Sequence, residues 1–419
     1  MLAAAGPLTV DPHSSQTEPR RVAVRVTRDA LRQLRGGHPW VFDASVVSVP
    51  EDAAAGDLAV VFDDKRRFAA IGLYDPTSPL RVRILHHGEP RTIDDAFWRE
   101  RLGSSVERRA ELARSSGTTG YRVVHGENDG LPGLVLDRYD RTYVLKLDTV
   151  AWLAHLRAIV AAVEEVIGPD ALVLRRSRHV ADHDPAHGEG QVLLGELPEG
   201  PVTFTESGLT FEADVVAGQK TGFFLDQRDN RLRVRGWASG RRVLDVCSCT
   251  GGFSVNAAAG GAELVHSVDV SQWAIDAAVA NMARNAGRPA VAACRHEVTT
   301  GDAFEVMSKM AARGRRFDLV VVDPPSFASS ARQVPAALAA YRRLAELSAR
   351  LVERGGRVLW CSCSSRVSAP EFVGTVREGV AESGNRLEDV VQYGPGIDHP
   401  VGFPQGAYLK SVTAKVVRR

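Results

Sequence analysis

Two thiols close one apolar run. In "GGRVLWCSCS" (355–364) the hydrophobic stretch reads as a buried strand, and Cys361 and Cys363 stand two residues apart at its end. Residues two apart on a strand share a face, so both thiols look the same way unless the chain turns between them. A strand-end thiol can serve as a nucleophile, whereas a small buried residue is the common role of a free cysteine and the reading that suits Cys361.

The other apolar runs also stop on chemistry. "RRVLDVCSCTGGFS" passes through Gly251 and Gly252 into a helical pattern, and glycines there let a ligand approach the backbone. "LVHSVDVS" ends at Asp269, about twenty residues later, where a carboxylate can take two ribose hydroxyls. "TTGDAF" presents Asp302, and "VVVDPPSFA" ends at Asp323 before a rigid Pro-Pro turn. A dinucleotide would want G-x-G-x-x-G for its pyrophosphate. S-adenosylmethionine (SAM) has no phosphate and needs only the shorter loop, with Asp302 free to read its adenine. Singly, each feature fits a turn or a helix cap. Their ordered succession points to SAM.

The elements that would position these groups change along the chain. Residues 1–20 have Pro, Ser and Thr, little periodicity and no basic start before an apolar core, the pattern of a disordered leader and not a signal peptide. Residues 21–92 carry short Val- and Ile-rich runs with turn signals such as Asp63-Asp64, predicting a small β-barrel with a helix over 28–35 and with Trp40 and Phe42 packed in it. Residues 93–206 predict an α+β middle domain, in which "ADHDPAHGEG" is a polar loop whose histidines are not ligands. From 207 to 419, continuous apolar strands alternate with helices, predicting an open α/β sheet that binds ligands at its strand ends. The helix over "ALAAYRRLAELSARLVERGG" is expected to end on its glycines.

At 419 residues, 44% hydrophobic, with a net charge of +1, the chain is long enough for two or three cored domains, and no stretch spans a membrane. Five cysteines without a secretion signal imply reduced thiols and a cytoplasmic location. The two C-x-C pairs lack the loops of a zinc knuckle, so no metal is expected. Arginines crowded between Arg20 and Arg35 fit phosphate contacts or a solvated face equally well.

With these motifs together, the chain resembles the class I SAM-dependent methyltransferases. "GQKTGFFLDQRDNR" (218–231), "RGGHPWVFDAS" (35–45) and "DHPVGFPQGAYLKS" (398–411) narrow the resemblance to the PUA-domain 23S ribosomal RNA cytosine-C5 methyltransferases. It covers nearly everything after residue 20. It implies a PUA RNA-binding barrel, a middle domain and a Rossmann-like methyltransferase domain, with large-subunit ribosomal RNA as partner, no DNA and no membrane, and a homodimer as the suggested assembly.

Carried over by motif, the resemblance implies a cofactor pocket formed by Gln219, Lys220, Thr221, Phe224, Asp226 and Arg228. To these it adds Asp245, Thr250, Gly251, Gly252 and Phe253, and the carboxylates of Asp269, Asp302 and Asp323. Arg35, His38, Pro324, Pro325 and Phe327 are implied to meet RNA. Cys363 aligns with the family's nucleophile: its thiolate adds to cytosine C6, so that C5 can attack the cofactor methyl group. Asp323 would hold cytosine N3. In another group of RNA cytosine-C5 methyltransferases a second cysteine follows the first proline of the D-P motif and releases product. Here that position is Pro325, which leaves the C5 base unassigned. Three alternatives stand beside this reading. Methylation of a base nitrogen would leave Cys363 idle, a non-catalytic RNA binder would not need the intact acids, and a dehydrogenase would need the missing glycine motif.

Overall fold

The computed structural model describes residues 19–63, 65–115, 117–328 and 330–418. Residues 1–18 of the expected leader, and Asp64 of the expected turn, lie outside the described residues.

The first sheet has six strands: β1 (Arg21–Val26), β2 (Trp40–Phe42), β3 (Val46–Ser48), β4 (Leu58–Phe62), β5 (Phe68–Tyr74) and β6 (Leu80–His87), in the order β2-β6-β5-β4-β1-β3. Its two edge strands are joined by the single turn Asp43–Ser45, so the sheet must curl until its edges meet. That curl makes the barrel. The helix Arg28–Arg35, capped by Thr27 Oγ1, buries Ala30, Leu31 and Leu34 against it. Phe42, expected inside, is 41% exposed: β2 is an edge strand, and its alternation buries Val41 instead.

The second sheet comprises β7 (Gly120–His125), β8 (Leu134–Tyr139), β9 (Thr142–Leu147), β10 (Ala171–Arg176) and β11 (Gln191–Gly195), packed against the helices Asp95–Arg108 and Leu156–Val166. Part of the expected polar loop after β10 is helical, because Ser177 caps a short helix over Arg178–His183 and Val180 anchors it in the core. The hairpin β12 (Val202–Glu206) and β13 (Leu209–Ala213) puts Phe204 and Phe211 in a core shared by β8, β9, β10 and the third sheet.

That third sheet has seven strands: β14 (Arg242–Val246), β15 (Leu264–Asp269), β16 (Arg295–Thr300), β17 (Phe317–Val322), β18 (Val352–Ser362), β19 (Asn385–Tyr393) and β20 (Lys410–Arg418). Their order is β16-β15-β14-β17-β18-β20-β19, and β20 runs antiparallel to both neighbours. Both faces of the inner strands are covered, which is why β14, β15, β17 and the end of β18 read as apolar runs, whereas the edge strands β16 and β19 are polar and partly exposed. The order reverses between β14 and β17, so a crevice opens at the carboxyl ends of those two strands.

One expected boundary differs. The helix Val334–Leu351 stops before the glycines, and β18 begins at Val352. Gly355 and Gly356 instead sit in an irregularity where β18 gains residues relative to β17. A side chain at Gly356 would come within 2.9 Å of Asp318 O, so close strand packing and not helix capping explains that glycine.

Candidate active site

The crevice is a cavity of about 340 Å³ lined by the ends of β14, β15, β17 and β18 and by the segment before the helix Arg228–Trp237. Gly251 adopts φ +76° at the turn out of β14, and a Cβ there would come 2.7 Å from Ala278 Cβ. The glycine is required by contact with the helix Gln272–Arg284, behind the cavity wall. Gly252, Thr250 and Phe253 do line the cavity. Cys247, Cys249 and Lys220 also hold positive φ, which places three non-glycine residues in left-handed backbone at this one cavity.

Asp269 accepts from Cys249 N and from Ser271 N, both at 2.9 Å, so its carboxylate fixes the loop while bordering the cavity. Asp302 lines the cavity and also caps the helix Ala303–Ala312, through Glu305 N. The exposed Val270 and Trp273 stand on the same rim. Sequence reasoning missed both, although their place directly after Asp269 was the available signal. The two carboxylates of Asp269 and Asp302, an apolar wall and the unpartnered buried hydroxyl of Ser248 suit a ligand with hydroxyls, an amino group and positive charge. SAM fits that set.

The same cavity also holds Asp323 and Cys363. Asp323 accepts from Gln227 Nε2 at 2.9 Å. Burial, reinforced by the charge of Asp226, pushes its carboxyl up to about 7. Cys363 lines the cavity with its Sγ 3.9 Å from Pro324 O, and burial followed by the nearby Asp323 pushes its thiol up to about 11. Pro325 and Phe327 complete this wall, with Phe327 N donating to Ser364 Oγ at 3.1 Å. Cys361 is fully buried with its sulfur 4.0 Å from Gln227 Oε1, so it packs and does not face the cavity.

Gln219, Lys220, Phe224 and Asp226 of the upstream motif all line the cavity. Burial alone would raise Asp226, but Lys220 Nζ at 2.6 Å and Tyr408 OH at 2.7 Å keep it well below the usual carboxylate range. Four residues of the predicted set lie outside the lining: Gly251, at the turn already described, and three whose polar groups are spent elsewhere. Thr221 donates to Asp137 at 2.6 Å, Arg228 forms a buried two-pronged pair with Asp398 at 2.8 and 2.9 Å, and Asp245 is buried against Ser254 at 2.6 Å. They hold the wall from behind. Arg35 and His38 are not brought to the cavity: Arg35 pairs with Asp63 at 2.8 Å, and His38 Nδ1 contacts the Trp40 backbone.

Sequence reasoning also missed Lys410. It is the first residue of β20, paired with Ser362 across β18, and its Nζ donates to Ser364 O at 2.5 Å and Tyr408 O at 2.8 Å. Burial pushes its ammonium down to about 8, while the neighbouring Cys363 favours the charge. Among the described residues no group of His, Cys, Asp and Glu could hold a metal ion, and no helix is long and apolar enough to cross a membrane.

A seven-stranded sheet of this order, with glycines after its first strand and an acid after its second, defines a Rossmann-like methyltransferase. Comparison with known proteins gives the family. Residues 129–405 match the S-adenosylmethionine-dependent methyltransferase model, and residues 24–87 match a PUA-like domain. The chain belongs to this SAM-dependent methyltransferase family, and SAM is its cofactor. It is 45% identical over 398 residues to a ribosomal RNA large subunit methyltransferase of Deinococcus radiodurans, covering 94% of this chain and 97% of that one. It is 33% identical to ribosomal RNA large subunit methyltransferase I of Klebsiella pneumoniae, covering 92% and 96%. A SAM-dependent methyltransferase structure from Streptococcus mutans shares the fold with a TM-score of 0.79 at 20% identity, covering 94% of this chain and all of that one.

Proposed function

We propose that the protein methylates C5 of a cytosine in large-subunit ribosomal RNA through a covalent adduct with Cys363. The names of the relatives support the RNA, and the single observation that carries the chemistry is Cys363 in one cavity with Asp323 and the Pro324 carbonyl.

Cytosine C5 is a weak nucleophile until C6 is saturated. The Cys363 thiolate adds to C6, and neutral Asp323 gives its proton to N3, which leaves C5 with enamine character. When bound, SAM supplies an electrophilic methyl group to that carbon. Loss of the C5 proton to a base then restores the double bond, expels Cys363 Sγ from C6 and returns the N3 proton to Asp323. Burial suits Asp323 to its role, since a carboxyl near 7 is available as an acid at neutral pH, but it works against ionisation of Cys363. Lys220 and Lys410 supply the positive charge that a thiolate needs in this setting.

The test incubates the protein and labelled SAM with large-subunit RNA from cells lacking the gene, followed by nucleoside analysis. Wild type is expected to label 5-methylcytosine and Cys363→Ala to label nothing. Label in another nucleoside, or full activity in Cys363→Ala, would overturn the thiol chemistry.

A further inference from the structure

A second cavity, of about 320 Å³, lies on the far side of Lys220, between the first two sheets and the segment before β20. Trp40 reaches it from β2, Arg122 and His125 from β7, Lys146 from β9, and Phe403 and Tyr408 from the segment before β20. Lys220 lines both cavities. The partition is a short chain of hydrogen bonds: Asp226 Oδ2, on the wall of the first cavity, accepts from Lys220 Nζ and from Tyr408 OH, on the wall of the second. An occupant of the second cavity is therefore one layer of side chains from the reacting thiol.

The chemistry of the second cavity favours a flat, neutral, polar-edged group over a phosphate. Its cations are already matched: Arg122 holds Asp137 in a two-pronged pair at 2.7 and 2.9 Å, and Lys146 is paired with Asp148. Trp40 meets Phe403 edge to face at 5.0 Å, and its indole N–H is fixed on Glu127 at 2.8 Å, so the ring is held as a rigid apolar surface. His125 Nδ1 contacts Arg122 Nη1 at 3.1 Å. Arginine only donates, so Nδ1 accepts and the imidazole carries its proton on Nε2, as a donor. An aromatic surface beside fixed donors and acceptors is how proteins hold unstacked RNA bases.

Attack on C6 also requires the target base to leave its stack, which strips one face of its neighbour. We propose that the second cavity receives the nucleotide next to the methylated one, with its base against Trp40 and Phe403. This rests on the RNA substrate argued above. It gives the barrel a direct part in choosing the site, through Trp40.

The test has two arms on the full-length protein. In the first, wild type is irradiated with short-wave ultraviolet light on a large-subunit RNA transcript, and adducts are mapped by mass spectrometry. A nucleotide adjacent to the methylated one should be joined to the peptide carrying Trp40 or Phe403. In the second, Phe403→Ala should raise KM for the transcript by about tenfold or more, with kcat and SAM affinity within about twofold of wild type. Adjacent-nucleotide adducts confined to other peptides, with KM unchanged, would overturn the proposal. Absence of any labelled nucleoside with wild type would instead be a failure of the substrate reading, visible before either arm is scored.

Discussion

Gln227 donates its side-chain amide to Asp323 across 2.9 Å, and Asn230 sets the direction of that amide by donating to Gln227 Oε1 at 2.6 Å. The bond favours ionised Asp323, while burial and Asp226 favour the neutral acid, and the neutral side wins up to about 7. The acid and the thiol beside it then titrate about four units apart, at about 7 and about 11.

That gap fixes the pH dependence. Below about 7 both groups are protonated; above it the pair shares one proton, and thiolate with neutral acid is a minor form, roughly one part in ten thousand. kcat/KM should climb about tenfold per pH unit toward 7 and then flatten. Asp323→Asn should be slow at neutral pH and keep rising through about pH 9, with no break near 7. Initial rates across this range at saturating SAM decide it; a break near 7 surviving in the variant would remove Asp323 from the pair.

Lys410 should act on the thiol through charge. With its ammonium replaced in Lys410→Met, Cys363 becomes harder to ionise, and alkylation of the Cys363 peptide by iodoacetamide at pH 8 should slow several-fold. Cys294 is remote from this cation and should react at its former rate, which mass spectrometry of the separate peptides reports.

Gly251→Ala should destabilise the third sheet. The new methyl meets Ala278 at 2.7 Å in a left-handed backbone, a cost of about 2–3 kcal/mol. A fall in Tm of roughly 4–8 °C is expected by calorimetry. An unchanged Tm would mean that the helix behind the turn yields freely.

Arg228 and Asp398 should behave as one unit. Asp398→Ala leaves the buried Arg228 guanidinium with only the 3.2 Å contact of its Nε to Asp229 and should cost about 3 kcal/mol in urea unfolding. The double variant Arg228→Leu with Asp398→Leu should cost less than the sum of the single changes. The same break should raise KM for RNA, because Asp398 anchors the segment carrying Phe403 and Tyr408.

The cavity was legible wherever chemistry followed directly on a strand: Asp269, Asp323 and Cys363 each close or follow an apolar run, Asp302 follows the polar edge strand β16, and each borders the cavity. Legibility failed for residues whose role depends on distant pairing. Nothing near Lys410 in sequence announces Cys363, because only the antiparallel register of β20 on β18 brings them together. Trp40 reads as barrel core by type, yet its partners Glu127 and Phe403 belong to other units. Thr221, Arg228 and Asp245 carry the motif's polar character and spend it on buried partners behind the wall. The glycines at 355 and 356 misled because a helix end and a strand irregularity ask for the same residue.

The register of β20 also imposes a timetable. A chain made from its amino end completes β14 to β17, and with them the acids that line the cavity, long before residue 410 exists. Until then β18 lacks its second neighbour, and Cys363 has neither the ammonium of Lys410 nor the seal that Leu409 adds to the cavity. The acid-lined side of the cavity can form early in synthesis, whereas the surroundings of Cys363 are complete only when β20 has been added.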